Sequence, residues 1–195
     1  MLKIELFCYF SNLNSFFMVS NSFFSSLVKR HILILLAVLF LLFNFLLNYF
    51  LPSENALDLK FAYSVDQAYF AISNLSKPDR EIYRLGIWAL DFPYMIVYGL
   101  LASGLLFYLW RNKVIVLIPL FIVFFDLIEN ILIISILNNY PIEKPVLAIM
   151  ASITTTSKWI FVGLLLLSIL IGALRLMKTM RNHSILVNES EVEKI

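Results

Sequence analysis

Asp126, Glu129 and Asn130 interrupt the otherwise apolar run Phe121–Ile134, within a stretch (114–137) long enough to cross a membrane. A charge at bilayer depth is expensive unless a partner or water meets it, so such side chains turn toward a bundle interior, where they pair or do chemistry. That single feature dictates what else the chain must supply: neighbouring helices that carry polar groups at the same depth. Of the 195 residues, 61% are hydrophobic and 14% charged. A soluble domain carries about 25% charged residues, so composition predicts an integral membrane protein with one compact helical domain.

Four stretches meet the length of ~20 apolar residues that a bilayer demands: 31–51, 85–110, 114–137 and 146–174. They predict an all-α, four-helix membrane bundle over 31–177. A poorly ordered or interfacial tail (1–30) precedes it, and a cytoplasmic tail (178–195) follows. In residues 1–28, Ser and Asn break every apolar run and Glu5 follows Lys3, which is no secretory-signal pattern; Met18 offers an alternative start. Between the first two spans, Ser64-Val-Asp-Gln67 reads as a capping box. Val65, Ala68, Tyr69, Ile72 and Leu75 follow at helical spacing, predicting a short amphipathic helix on the membrane surface. Ser76-Lys-Pro78-Asp79 starts a further helix that runs into span two. The short turn at 111–113 makes spans two and three antiparallel neighbours, and Pro119 marks a possible kink.

Lysine and arginine placement sets the orientation. Lys3, Lys29, Arg30, Arg111, Lys113, Arg175, Lys178, Arg181 and Lys194 lie on one side, against Lys60, Lys77, Arg80, Arg84 and Lys144 on the other. Both termini are therefore expected in the cytoplasm (of an inner or plasma membrane in a bacterium) and the 53–84 segment outside. The net charge of +2 gives no reason to expect nucleic acid. One cysteine, Cys8, and two distant histidines, His31 and His183, give no metal-ligand set, and no cofactor motif is present.

The 1.5 Å helical rise converts position into depth. Asp126 and Lys158 come to about 17 and 18 Å below the outer end of their spans, and Glu129 and Asn130 to about 10–12 Å. Thr154 and Thr155 come to about 12–14 Å, and Asp91 to about 6–9 Å with Tyr94 and Tyr98 on its face. Asn44 and Asn48 share one stripe of span one near the same level. Toward the inner side, Ile32–Phe43 and Val114–Phe125 carry no ionisable residue, and Phe161–Leu174 offers only Ser168 as a polar side chain. Equal depth predicts an ion pair between Lys158 and Asp126. The candidate acid/base groups are Glu129, Asp126 and Asp91; Tyr94, Tyr98, Asn130, Thr155, Lys158 and Arg84 are the candidate ligand-binding groups. The plainer reading is that polar side chains hold helices together, with Gly99, Ser103 and Gly163 as close-packing positions and Trp159 as packing.

Arg84-Leu-Gly-Ile-Trp-Ala-Leu-Asp91-Phe-Pro93-Tyr94 with Tyr98-Gly99, then Asp126-Leu-Ile-Glu129-Asn130 and a lone Lys158, resembles a set of uncharacterised four-span membrane proteins with D-x-x-P-x-x-Y-G-like and D-x-x-E-N motifs. In architecture, and in Asp91-Phe-Pro93, the chain is also distantly similar to the emopamil-binding/sigma-2 receptor-like (EXPERA) superfamily. That resemblance implies a sterol-type ligand in an intramembrane pocket. No residue here matches that superfamily's catalytic histidine, which counts against isomerase activity.

Three functions compete. The site binds or modifies a small amphipathic or lipid-like ligand; or the polar layer only fixes helix packing in a structural or accessory subunit; or the protein is an ion- or proton-coupled carrier. Against the carrier stand the apolar inner half and the absence of broken helices or repeats. A hard-cation site of Asp91, Asp126, Glu129 and Asn130 is opposed by Lys158 at the same depth. Whether the protein is an enzyme, and its oligomeric state, stay open.

Overall fold

The structure of the protein is a computed structural model that describes residues 22–51 and 53–192, with side chains through Arg181. Among the described residues every regular element is helical, and four helices are long and apolar enough to cross a membrane. The tail expected over 1–30 lies mostly outside the described residues. Its last part, α1 (22–27), is helical: Phe24 stacks on Phe107 at 5.0 Å and Leu27 is buried. Apolar side chains in that short stretch find a protein surface to cover them, which the polar interruptions of the sequence conceal.

Helix α2 (Arg30–Phe50) ends where Leu51 turns extended, at ψ 147°, as a residue preceding a proline does. Two 3₁₀ turns (Ser53–Asn55 and Leu57–Leu59) then form a strap. Ala62, at φ 51°, adopts a left-handed conformation uncommon for a residue with a Cβ, and the chain turns there into Tyr63. Helix α3 (Val65–Ser73) has the predicted capping box, with the Ser64 hydroxyl accepting from Gln67 N at 3.2 Å. Its apolar face serves the protein itself: Ala68, Tyr69, Ala71 and Ile72 are buried in a cluster with Ile133, Ile136, Leu137 and Ala148. Lys144 N donates to the Tyr69 hydroxyl at 2.5 Å.

Helix α4 (Lys77–Gly86) starts on the Ser76/Asp79 capping box with Pro78 in its first turn. It continues through a π-turn (Ile87–Asp91) into α5 (Phe92–Trp110). Pro93 cannot donate to the Ala89 carbonyl, and the ladder widens just before it, with Phe92 N donating to Ile87 O. Arg111, at φ 53°, closes α5 with a left-handed cap. Helix α6 (Leu117–Asn139) carries Pro119 in its first turn, where a missing N–H is harmless. Helix α7 (Pro145–Val192) continues well past the expected end at 174, because Arg, Leu, Met and Lys are good helix formers and nothing stops it.

Helices α6 and α7 pack along each other, α5 packs against both, and α2 packs on α5 and the π-turn but not along α6 or α7. A methyl group at Gly99 would meet Val123 Cγ2 at 2.7 Å, whereas one at Gly163 would meet nothing within 4 Å. Gly99 is thus a close-packing position and Gly163, contrary to the sequence reading, is not. Because Val123 is stiff at χ1, Gly99→Ala should cost about 1–3 kcal/mol, and Gly163→Ala should stabilise by about 0.5–1 kcal/mol, as replacing an unhindered helix-interior glycine does. Thermal unfolding of the purified variants checks both.

Candidate functional site

Asp126 and Glu129 are three apart on α6 and therefore share a face. Thr155 and Lys158 repeat that spacing on α7, and the two faces meet. Lys158 Nζ lies 3.0 Å from Asp126 Oδ1 and 2.6 Å from Glu129 Oε2. Thr155 Oγ1 donates to Glu129 Oε1 at 2.7 Å. The ammonium therefore serves two carboxylates and not Asp126 alone. Depth arithmetic missed this because a four-carbon stem reaches across a helical turn.

A second set of bonds ties α5 to the same layer. Tyr98 donates to Asp126 Oδ2 at 2.6 Å, and Asn130 Nδ2 donates to Asp91 Oδ2 at 2.5 Å. Asn44 Nδ2 donates to the Tyr94 hydroxyl at 2.8 Å, joining α2 to α5. The π-turn places Asp91 at its last position. Three carboxylates (Asp91, Asp126 and Glu129) thus lie in one layer with one ammonium.

A cavity of about 490 Å³ lies between α2, α5 and α7, with the strap at one end. Asn44, Asp58, Asp91, Tyr94, Asp126 and Lys158 line its polar end, and Leu101, Leu105, Val162, Leu165 and Ile169 line its apolar end. The structure brings Asp91, Tyr94, Tyr98, Asp126 and Lys158 together in this wall. Glu129, Asn130 and Thr155 stand behind it, buried and not lining the cavity. Arg84 is elsewhere: it is half-buried, pairs with Glu81 and donates to Asn138 Oδ1 of α6 at 3.0 Å. That direction follows from helical phase, which depth alone does not report.

Two lining residues escaped the sequence reading. Asp58 sits in the strap, where a loop residue gives no periodic signal; its carboxylate accepts from the Tyr83 hydroxyl at 2.7 Å. Trp159, read as packing, lines the cavity and donates to Asp58 O at 3.2 Å. The Tyr83 hydroxyl also accepts from Leu57 N at 3.0 Å, so one buried tyrosine latches the strap. Among the described residues no group of His, Cys, Asp and Glu is placed to hold a metal ion. The chain matches no family model, no curated protein and no solved structure, so the functional reading stands on this geometry.

Proposed function

We propose that this is an integral membrane protein, both termini cytoplasmic and the 53–84 segment outside, that binds or modifies a small amphipathic or lipid-like ligand in the cavity between α2, α5 and α7. The observation that carries the reading is the cavity's division into a carboxylate-rich end and a wholly apolar end. Its volume falls in the ~300–1,000 Å³ range of small-molecule sites. Spans long enough for a bilayer and lysines and arginines biased to one side support the placement. The resemblance to the emopamil-binding/sigma-2 receptor-like superfamily points the same way.

The head group of such a ligand would present hydrogen-bond donors, amine or hydroxyl, to Asp91, Asp58 and Asn44. Its chain would lie along Leu101, Leu105, Val162 and Leu165. If the ligand is modified, Asp91 and Asp126 are the acid/base pair within reach of it, and Glu129 acts from behind them. A flank of α2 not packed on α7 leaves a side entrance from the bilayer.

The structural alternative has one observation of its own: the Asp126–Lys158–Glu129–Thr155 network joins α6 to α7 and is sealed by burial. Binding separates the two. In nanodiscs, a dansyl-labelled alkylamine and a dansyl-labelled alkyl alcohol are titrated against wild type, Leu105→Trp and Asp91→Asn. We expect Leu105→Trp, which fills the apolar end, to weaken both probes at least tenfold with unfolding temperature preserved, and Asp91→Asn to weaken the amine most. Equal binding by all three proteins would leave the packing role as the better reading.

A further inference from the structure

Three buried side-chain atoms lack a hydrogen-bond partner among the described residues: the Tyr63 hydroxyl, Glu129 Oε2 and Asn130 Oδ1. A folded protein leaves few such atoms, and each calls for a water, an ion or a function. Glu129 Oε2 has the Lys158 ammonium at 2.6 Å as an ion pair, outside hydrogen-bonding geometry. Tyr63 is the instructive case. Its hydroxyl lies near Thr155 and Glu129; burial, and after it the Glu129 carboxylate, push the phenol above its ordinary range against the opposing effect of Thr155, so it keeps its proton. On its other side the residue lines a groove of about 390 Å³ with Ser64, Ser152, Thr156 and Ser157. Tyr63 therefore stands between a hydroxyl-lined groove at the surface and the charged layer inside.

From Thr155 inward the contacts follow one another. Thr155 Oγ1 reaches Glu129 Oε1 at 2.7 Å, Glu129 Oε2 reaches Lys158 Nζ at 2.6 Å, and Nζ reaches Asp126 Oδ1 at 3.0 Å in the cavity wall. We propose that Tyr63, Thr155, Glu129 and Lys158 form a proton path from the surface groove to Asp126, entered from the groove and not through the cavity that Lys158 and Asp126 line. Each member gives one proton and takes one. A groove water supplies Tyr63, Tyr63 supplies Thr155, and Thr155 supplies Glu129. Glu129 supplies Lys158 as the ammonium releases a different proton to Asp126. At the end both hydroxyls and the ammonium are as they began, and one proton has moved from the groove to Asp126. Internal water joining the orphaned atoms would complete the hydrogen bonds, as buried polar gaps commonly require. The charged and titratable groups facing Glu129 are Lys158 from α7, Asp126 from its own helix, Tyr63 and Asp58 from the strap and its continuation, and Tyr83 from α4. The path holds whatever occupies the cavity.

The test is the rate at which protons reach these carboxyls after an acid jump, followed by time-resolved infrared spectroscopy of the protein in nanodiscs. Glu129→Gln and Asp126→Asn assign the bands. Tyr63→Phe loses a hydroxyl without a partner, so its packing is preserved and its fold is the control. We expect it to slow proton arrival at Glu129 and Asp126 at least tenfold. Thr155→Val should act likewise and Thr155→Ser should restore the rate. Wild-type rates in Tyr63→Phe would overturn the path even if Thr155→Val does not fold. Slowing by Leu105→Trp alone would also overturn it, by showing that protons enter through the cavity. So would the absence of any titrating Glu129 or Asp126 band over the pH range in which the protein stays folded.

Discussion

Lys158→Met should destabilise the protein by about 3–5 kcal/mol, the cost of breaking a buried ion pair from one side. The methionine fills the space of the lysine stem, so packing is nearly preserved and the loss reports on charge. Asp126 and Glu129 would be left facing one another with side chains only 6% and 0% exposed. Both helices of the tightest packed pair, α6 and α7, meet at this point, and the damage should therefore be global. The triple variant Asp126→Asn, Glu129→Gln, Lys158→Met should recover most of the loss, because neutral isosteres carry no desolvation penalty to offset. Thermal unfolding in detergent micelles measures both. If Lys158→Met unfolds like the wild type, the ammonium does not hold these helices together.

The second large effect is local. Tyr83→Phe removes a hydroxyl that accepts from Leu57 N and donates to Asp58 Oδ1. Leu57 is fully buried, so its N–H would be left without a partner, at about 1–3 kcal/mol. The loss falls on the strap and not on the four long helices. Amide hydrogen exchange over 56–59 should therefore accelerate by roughly tenfold or more, with little change inside α6. Uniform acceleration across all helices would show that the latch is an integral part of the core.

The number and order of the four spans were legible because each states its own requirement: enough apolar residues, ended by a turn. The Ser64 capping box and the helix start at Ser76 were legible for the same local reason. The Asp126–Lys158 pair emerged from depth alone, since antiparallel helices joined by a short turn keep a common ruler. Rotation about each helix axis was not legible. Arg84 was a candidate ligand-binding group, but helical phase turns it to Glu81 and Asn138. Depth paired Lys158 with Asp126 alone, although it serves Glu129 too. Asp58 and Trp159 were missed because their roles depend on where an aperiodic strap crosses the bundle. The docking of α3 on the bundle was hidden because an apolar stripe looks the same whether lipid or protein covers it.

The π-turn at Ile87–Asp91 has one more consequence. A widened turn takes up about one residue more than an α-helical one, and each residue turns an α-helix by about 100°. The surfaces of the helix before and after that point are therefore set at an angle that an uninterrupted helix would not give. The early half can aim Tyr83 at the strap while the later half aims Tyr94 at Asn44 and Tyr98 at Asp126. An uninterrupted α-helix through the same residues would turn one half by about 100° from its present aim and force a choice: either the strap keeps its anchor or the tyrosines keep theirs.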